Sequence, residues 1–181
     1  DTVCEDCPAG SYCPTSTGSL DCDPGYYCPG KQFTGRPVEF MCPAGSKCVA
    51  GSNEPESCPA GEYQNAEAAA TCKECPAGFY CDGGVASLGD KVCPAGNYCP
   101  GGTEVAGAFP CPEGTYSNLT GLASNAECLP CDAGKFCNST YDAQSASLGV
   151  GGGLVAPSGA CQAGYYCTEA ADSIAPPDSA G

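Results

Sequence analysis

The sequence holds no histidine and no tryptophan, one methionine, five phenylalanines and six basic residues in 181. Each shortage closes a class of function. Without histidine there is no Ser-His or Cys-His nucleophile system. A zinc site would have to be built from cysteine alone. Six Lys and Arg against 21 Asp and Glu leave a net charge of −15. That balance cannot track phosphates, so nucleic acid and anionic membrane surfaces are not expected partners. No apolar run reaches the roughly 18 residues a membrane span needs. The few large apolar side chains cannot fill an ordinary hydrophobic core.

What the sequence has instead is 19 Cys, 26 Gly and 17 Pro. Cysteine at this density, above the ~8–10% that marks a disulfide scaffold, implies cross-links in an oxidising, extracellular-type compartment. Two sequons, Asn118-Leu119-Thr120 and Asn138-Ser139-Thr140, fit a secretory route and are candidate N-glycan sites. The stretches PTSTGS (14–19) and APPDSAG (175–181) mix Ser/Thr with Pro and are candidates for O-glycans.

The cysteines are periodic. Nine copies of one motif begin at Cys7, Cys22, Cys42, Cys58, Cys75, Cys93, Cys111, Cys131 and Cys161. Three residues on, each has glycine; five residues on, eight of nine have an aromatic residue, the exception being Lys47. Cys-Pro-Ala-Gly suits a type I turn, with Pro second and Gly fourth. The ring supplies a flat apolar plate to stack on a disulfide or a neighbour, so units this small must bury their surface against one another.

Seven copies close with a second cysteine six residues after the first: Cys7/Cys13, Cys22/Cys28, Cys42/Cys48, Cys75/Cys81, Cys93/Cys99, Cys131/Cys137 and Cys161/Cys167. Two run further, Cys58 to Cys72 and Cys111 to Cys128, and are followed by Cys-x-x-Cys into the next copy. This spacing predicts repeats over 7–74, 75–130 and 131–181, the last incomplete, with 1–6 ending a preceding repeat. ASLG recurs at 86–89 and 146–149, as expected of internal duplication. Cys4 is left over; a partner upstream and a free or intermolecular thiol are the alternatives. For the short copies, closure within the copy treats all by one rule; crossed pairing between successive copies, such as Cys75–Cys93 with Cys81–Cys99, is the rival.

CPAGEYQNAEAAATCKEC (58–75) and CPEGTYSNLTGLASNAECLPC (111–131) resemble the ephrin-receptor-like cysteine-rich repeat. They are also similar to the first half-module of tumour-necrosis-factor-receptor cysteine-rich domains. The resemblance implies pairing of Cys58 with Cys72, and by the same rule Cys111 with Cys128. The short CPAGxYC form is similar to arrays in surface-coat and mastigoneme-type fibre proteins of protists and algae. The resemblance implies an elongated, disulfide-laddered rod with β-hairpin fragments and no enzymatic activity.

The Cys-x-x-Cys pairs carry Pro and Gly immediately after them, which suits module junctions and not the helix start of a thioredoxin-like site. No D-x-D-x-D-G loop is present for calcium, and GVGGGL (149–154) lacks the Lys-Ser/Thr of a phosphate loop. No metal or cofactor is expected. The expected fold is small and disulfide-rich, with tandem turns and short hairpins and little or no helix. The expected role is a glycosylated structural segment of an extracellular filament or surface coat that associates with itself or with other coat proteins. A ligand-binding receptor ectodomain is the alternative. Under either, KQFTGRPVEFM (31–41), with Phe33, Arg36 and Phe40, is the candidate partner contact.

Overall fold

The structure is a computed structural model and describes residues 7–15, 18–138 and 153–175. It is a small disulfide-rich fold in which, among the described residues, regular structure is limited to two single-turn 3-10 helices and ten short strands. The strands pair in five two-stranded antiparallel ribbons. These are β1 (Ser11–Thr15) with β2 (Gly18–Asp21), β3 (Ser46–Lys47) with β4 (Glu56–Ser57), and β5 (Glu62–Tyr63) with β6 (Lys73–Glu74). The others are β7 (Thr115–Tyr116) with β8 (Leu129–Pro130) and β9 (Lys135–Phe136) with β10 (Gly159–Ala160). The 3-10 helices are Val38–Phe40 and Asn125–Glu127.

The chain divides into two compact bodies, 1–74 with 81–88 and 75–80 with 89–181. Disulfides close Cys7–Cys13, Cys22–Cys28, Cys42–Cys48 and Cys58–Cys72 in the first. In the second they close Cys93–Cys99, Cys111–Cys128, Cys131–Cys137 and Cys161–Cys167. Cys75 and Cys81 are disulfide-bonded as well. Cys4 lies outside the described residues, as do Ser139, Thr140 and the second ASLG.

The turn that opens each copy sits one residue later than the motif suggested. The N–H of Ser11 donates to Pro8 O, and the equivalent bond recurs in all nine copies at 3.0–3.2 Å. Glycine is therefore third in the turn, not fourth, with φ of 85° at Gly10 and 80–91° at its eight counterparts. A positive φ at the third position is the type II requirement, and glycine meets it without steric cost. The sequence-based type I assignment placed Pro where its fixed φ is favoured. The demand for positive φ at the glycine decides the register instead.

Half-cystines make up most of the core, and partly buried rings pack against it. The buried apolar residues are chiefly half-cystines, with Val85, Leu122, Phe136 and Leu154 among the few others. Within the second body, Tyr98 packs on the cluster of Cys111, Cys128 and Leu122. Tyr116 packs on Cys131, Cys137 and Leu154, and Phe136 on Cys167 and Cys161. Each ring thus covers the disulfide of the following copy. That is how units with almost no core of their own remove apolar surface from water.

Candidate functional site

The functional geometry of this chain is a junction between successive copies, repeated along it. In the first body the glycine N–H of each turn donates to the carbonyl six residues after the first cysteine of the next copy. The pairs are Gly10 to Cys28, Gly25 to Cys48, Gly45 to Gln64 and Gly61 to Cys81. The second body repeats the rule with Gly78 to Cys99, Gly96 to Ser117, Gly114 to Cys137 and Gly134 to Cys167. The glycine carbonyl accepts in return from the first cysteine of the next copy, as Gly10 does from Cys22 N and Gly134 from Cys161 N. Two main-chain bonds of 2.7–3.1 Å therefore join seven of these pairs of turns, all but that of Gly61, and they satisfy polar groups that the thin core leaves next to buried sulfur.

A second contact comes from one copy further on. A side chain at Gly10 would meet Gly51 O at 2.5 Å, and one at Gly78 would meet Gly121 O at 2.7 Å. Gly25, Gly96 and Gly114 are covered in the same way by the backbone of Ala68, Gly153 and Ala170. The covering residue follows its own copy's motif by a few positions and donates back to an earlier cysteine carbonyl, as Gly51 N does to Cys22 O and Gly121 N to Cys93 O. Apart from Gly153, glycines at this roofing position have positive φ: Gly51 (78°), Gly84 (64°), Gly102 (73°) and Gly121 (80°). Among the described residues, the three with positive φ that are not glycine, Lys31, Ala68 and Ala170, stand there too.

The residue five after the first cysteine pairs with the residue two before the next first cysteine. Tyr12 faces Leu20, Tyr63 faces Lys73, Tyr116 faces Leu129 and Phe136 faces Gly159. Tyr27 meets Phe40 edge-to-face at 5.3 Å and Tyr98 meets Phe109 at 5.6 Å. The ammonium groups of Lys73 and Lys91 lie 5.9 and 5.3 Å over Tyr63 and Tyr80, within cation–π range. The exceptional Lys47 follows the same rule: opposite it stands Glu56, 3.3 Å away. Charge thus replaces stacking at one junction. Phe136 is the most buried of these rings and faces Gly159, where a side chain would come within 3.3 Å of it.

The long copies lack a cysteine at the sixth position and place a buried polar residue there. The Gln64 amide donates to Thr71 O at 2.7 Å and its oxygen accepts from Ala66 N at 3.1 Å. Ser117 Oγ accepts from Leu119 N at 3.2 Å. Hydrogen bonds to the longer loop take the place of the short cross-link.

The candidate contact stretch 31–41 is split in its roles. Phe40 is occupied by Tyr27, and Arg36 pairs with Asp23 at 2.6 Å. That hydrogen bond and the carboxylate charge raise the Arg36 pKa, as Asp132 raises that of Lys135. A raised base contributes its stabilisation below its ordinary pKa and loses it only above, so neither guanidinium nor ammonium makes the fold pH-sensitive near neutrality. Phe33 (57% exposed) and Val38 (77%) are left at the surface. Asn118, Leu119 and Thr120 are all exposed. Asn138 is half-buried, and its Nδ2 donates to Asp172 O at 2.9 Å. Among the described residues no group of three or more His, Cys, Asp or Glu could hold a metal ion, and no helix is long and apolar enough to cross a membrane.

Residues 45–87 match the family described as tyrosine-protein kinase ephrin type A/B receptor-like. That span takes in the Cys58–Cys72 copy and parts of its neighbours, about a quarter of the chain. Together with the disulfides it makes this an array of cysteine-rich repeats, consistent with an extracellular location. No curated protein matches the chain.

Proposed function

We propose that this chain is a structural, glycosylated segment of an extracellular filament or surface coat, without enzymatic activity, whose partners are copies of itself or other coat proteins. The observation that carries the reading is the junction. The same pair of hydrogen bonds recurs between turns in both bodies, and the conserved-by-repetition residues within the chain are spent on making it. A chain built to present one site would show one copy with distinct chemistry; here even Lys47 keeps the junction's pairing rule through Glu56. Electron microscopy of native material, with mass spectrometry of the same sample, tests the reading. Regular filaments or a coat layer carrying this chain with glycans on Asn118 support it. Isolated molecules that bind a soluble protein and never assemble overturn it.

The receptor-ectodomain reading draws on one observation, the exposed Phe33 and Val38 in the 31–41 stretch. Loss of a soluble ligand on Phe33→Ala and Val38→Ala, with folding intact, would favour it.

A further inference from the structure

Two departures from the repeat fall on one disulfide. In the second body, Cys111 and Cys128 pack with Leu122 and with Tyr98, the ring of the preceding copy. The first body has the equivalent long loop at Cys58–Cys72. There the preceding copy carries Lys47, the one exception to the ring rule, and Ala69 stands where Leu122 stands. The main chain fixes that equivalence. Ala69 O accepts from Cys48 N as Leu122 O does from Cys99 N, and Ala68 N donates to Cys42 O as Gly121 N does to Cys93 O. The result is a difference in cover. Cys58, Cys111 and Cys128 are buried, but Cys72 is only half-buried. The other described half-cystine that is not buried, Cys161, has the Phe136 ring in the cluster it packs against.

We propose that Cys58–Cys72 is a thiol-exchange site, opened at Cys72 Sγ by a small thiol of the glutathione class or by a protein dithiol. Exchange requires a thiolate to reach a sulfur of the disulfide, so access selects the bond. The incoming thiolate bonds to Cys72 Sγ, the Sγ–Sγ bond breaks, and Cys58 leaves as a thiolate that takes a proton from water. A second thiolate then attacks the incoming sulfur of the mixed disulfide, and Cys72 leaves and is protonated in turn. Both cysteines end reduced, and the two attacking thiols end oxidised as one disulfide.

The loop released in this way is a clamp. Gln64 O accepts from Gly45 N, Ala69 O accepts from Cys48 N, and Ala68 lies over Gly25. Opening it loosens the hold on the copies that begin at Cys22 and Cys42 while their own disulfides stay closed. The site lies wholly in the first body and is the same whether the chain serves a coat or a receptor.

The test treats the whole 181-residue chain, without denaturant, with reduced glutathione and in parallel with a thioredoxin-type protein. Differential alkylation and peptide mass spectrometry read each cysteine. Cys58 and Cys72 should be alkylated first, on the order of tenfold faster than Cys111 and Cys128, because access sets the rate. Hydrogen exchange should rise at Gly45 and Cys48 but not at Gly96 and Cys99; no rise at Gly45 would overturn the clamp. Lys47→Tyr with Ala69→Leu restores the cover and should remove the difference. Leu122→Ala should make Cys111–Cys128 labile in turn, which decides the matter if the double variant misfolds. Opening by glutathione assigns a small thiol, and opening by the thioredoxin-type protein alone assigns a protein dithiol; both support the site. Another disulfide opening first, equal rates for the two long loops, or cover variants without effect would each overturn it.

Discussion

Lys47 and Glu56 face each other across β3 and β4 at the positions that Tyr63 and Lys73 occupy one copy later. One junction is held by an ion pair and the next by a ring under an ammonium. The two solutions should be interchangeable. Glu56→Lys alone puts like charges opposite each other and should cost roughly 0.2–1 kcal/mol, at the low end because Glu56 is largely exposed. Adding Lys47→Tyr recreates the Tyr63–Lys73 arrangement and should recover most of that. Denaturant unfolding of the single and double variants measures the difference; a double variant no better than Glu56→Lys would refute the pairing rule.

The roofing contact can be separated from backbone strain. Gly78 and Gly134 have φ of 84° and 83°, but only Gly78 is covered, by Gly121 O. Gly134→Ala should cost about 1–2 kcal/mol from conformation alone. Gly78→Ala should cost clearly more, because backbone must also move, and should raise hydrogen exchange at Gly121. Equal costs would show that the stack yields freely.

At the roofing position itself, Lys31 and Ala170 hold φ of 61° and 60° where other copies have glycine. Both are exposed. Lys31→Gly and Ala170→Gly should each stabilise by about 0.5 kcal/mol, the relief of left-handed strain exceeding the added freedom of the unfolded chain. A lower unfolding midpoint for both would contradict this.

Loop length should grade the disulfides. Cys58–Cys72 spans 14 residues and Cys93–Cys99 spans 6. Replacing both cysteines by alanine should cost roughly 3 kcal/mol for the first and 2 for the second through the unfolded state. The measurement is the midpoint shift in guanidinium.

Exposure should grade the sequons. In a glycosylating secretory host Asn118 should be occupied and Asn118→Gln should remove one glycan by mass. Asn138, whose amide nitrogen is engaged by Asp172 O, should be occupied less completely. Peptide mass spectrometry after deglycosylation decides both.

The fold class was legible because cysteine, glycine and aromatic spacing express it directly: the motif that recurs at Cys7 and Cys161 is the unit that folds. Less legible was anything that depends on which backbone lies above which. Gly10 reads as a turn residue. That it also lies under Gly51, in the copy after next, has no mark near residue 10. A signal did exist. Gly51, Gly84, Gly102 and Gly121 sit at a similar distance behind their motifs, but Lys31, Ala68 and Ala170 interrupt the series. Likewise Glu56 gives Lys47 its meaning only once the strands are paired. The turn's register escaped because Pro-x-Gly fits two turn types, and only the sign of φ at the glycine tells them apart.

Each of the eight disulfides described above closes inside one copy of the motif, so none ties a copy to its neighbour. Between the copies these disulfides close, the described chain is joined by one strand of covalent backbone, by ring packing and by hydrogen bonds that can part and re-form. Pulled from its ends, such a molecule would give way one junction at a time, each release paying out only the residues outside a locked loop. The loops themselves would stay closed, ready to re-seat when tension falls. Cross-links placed this way make a material that yields in small recoverable steps.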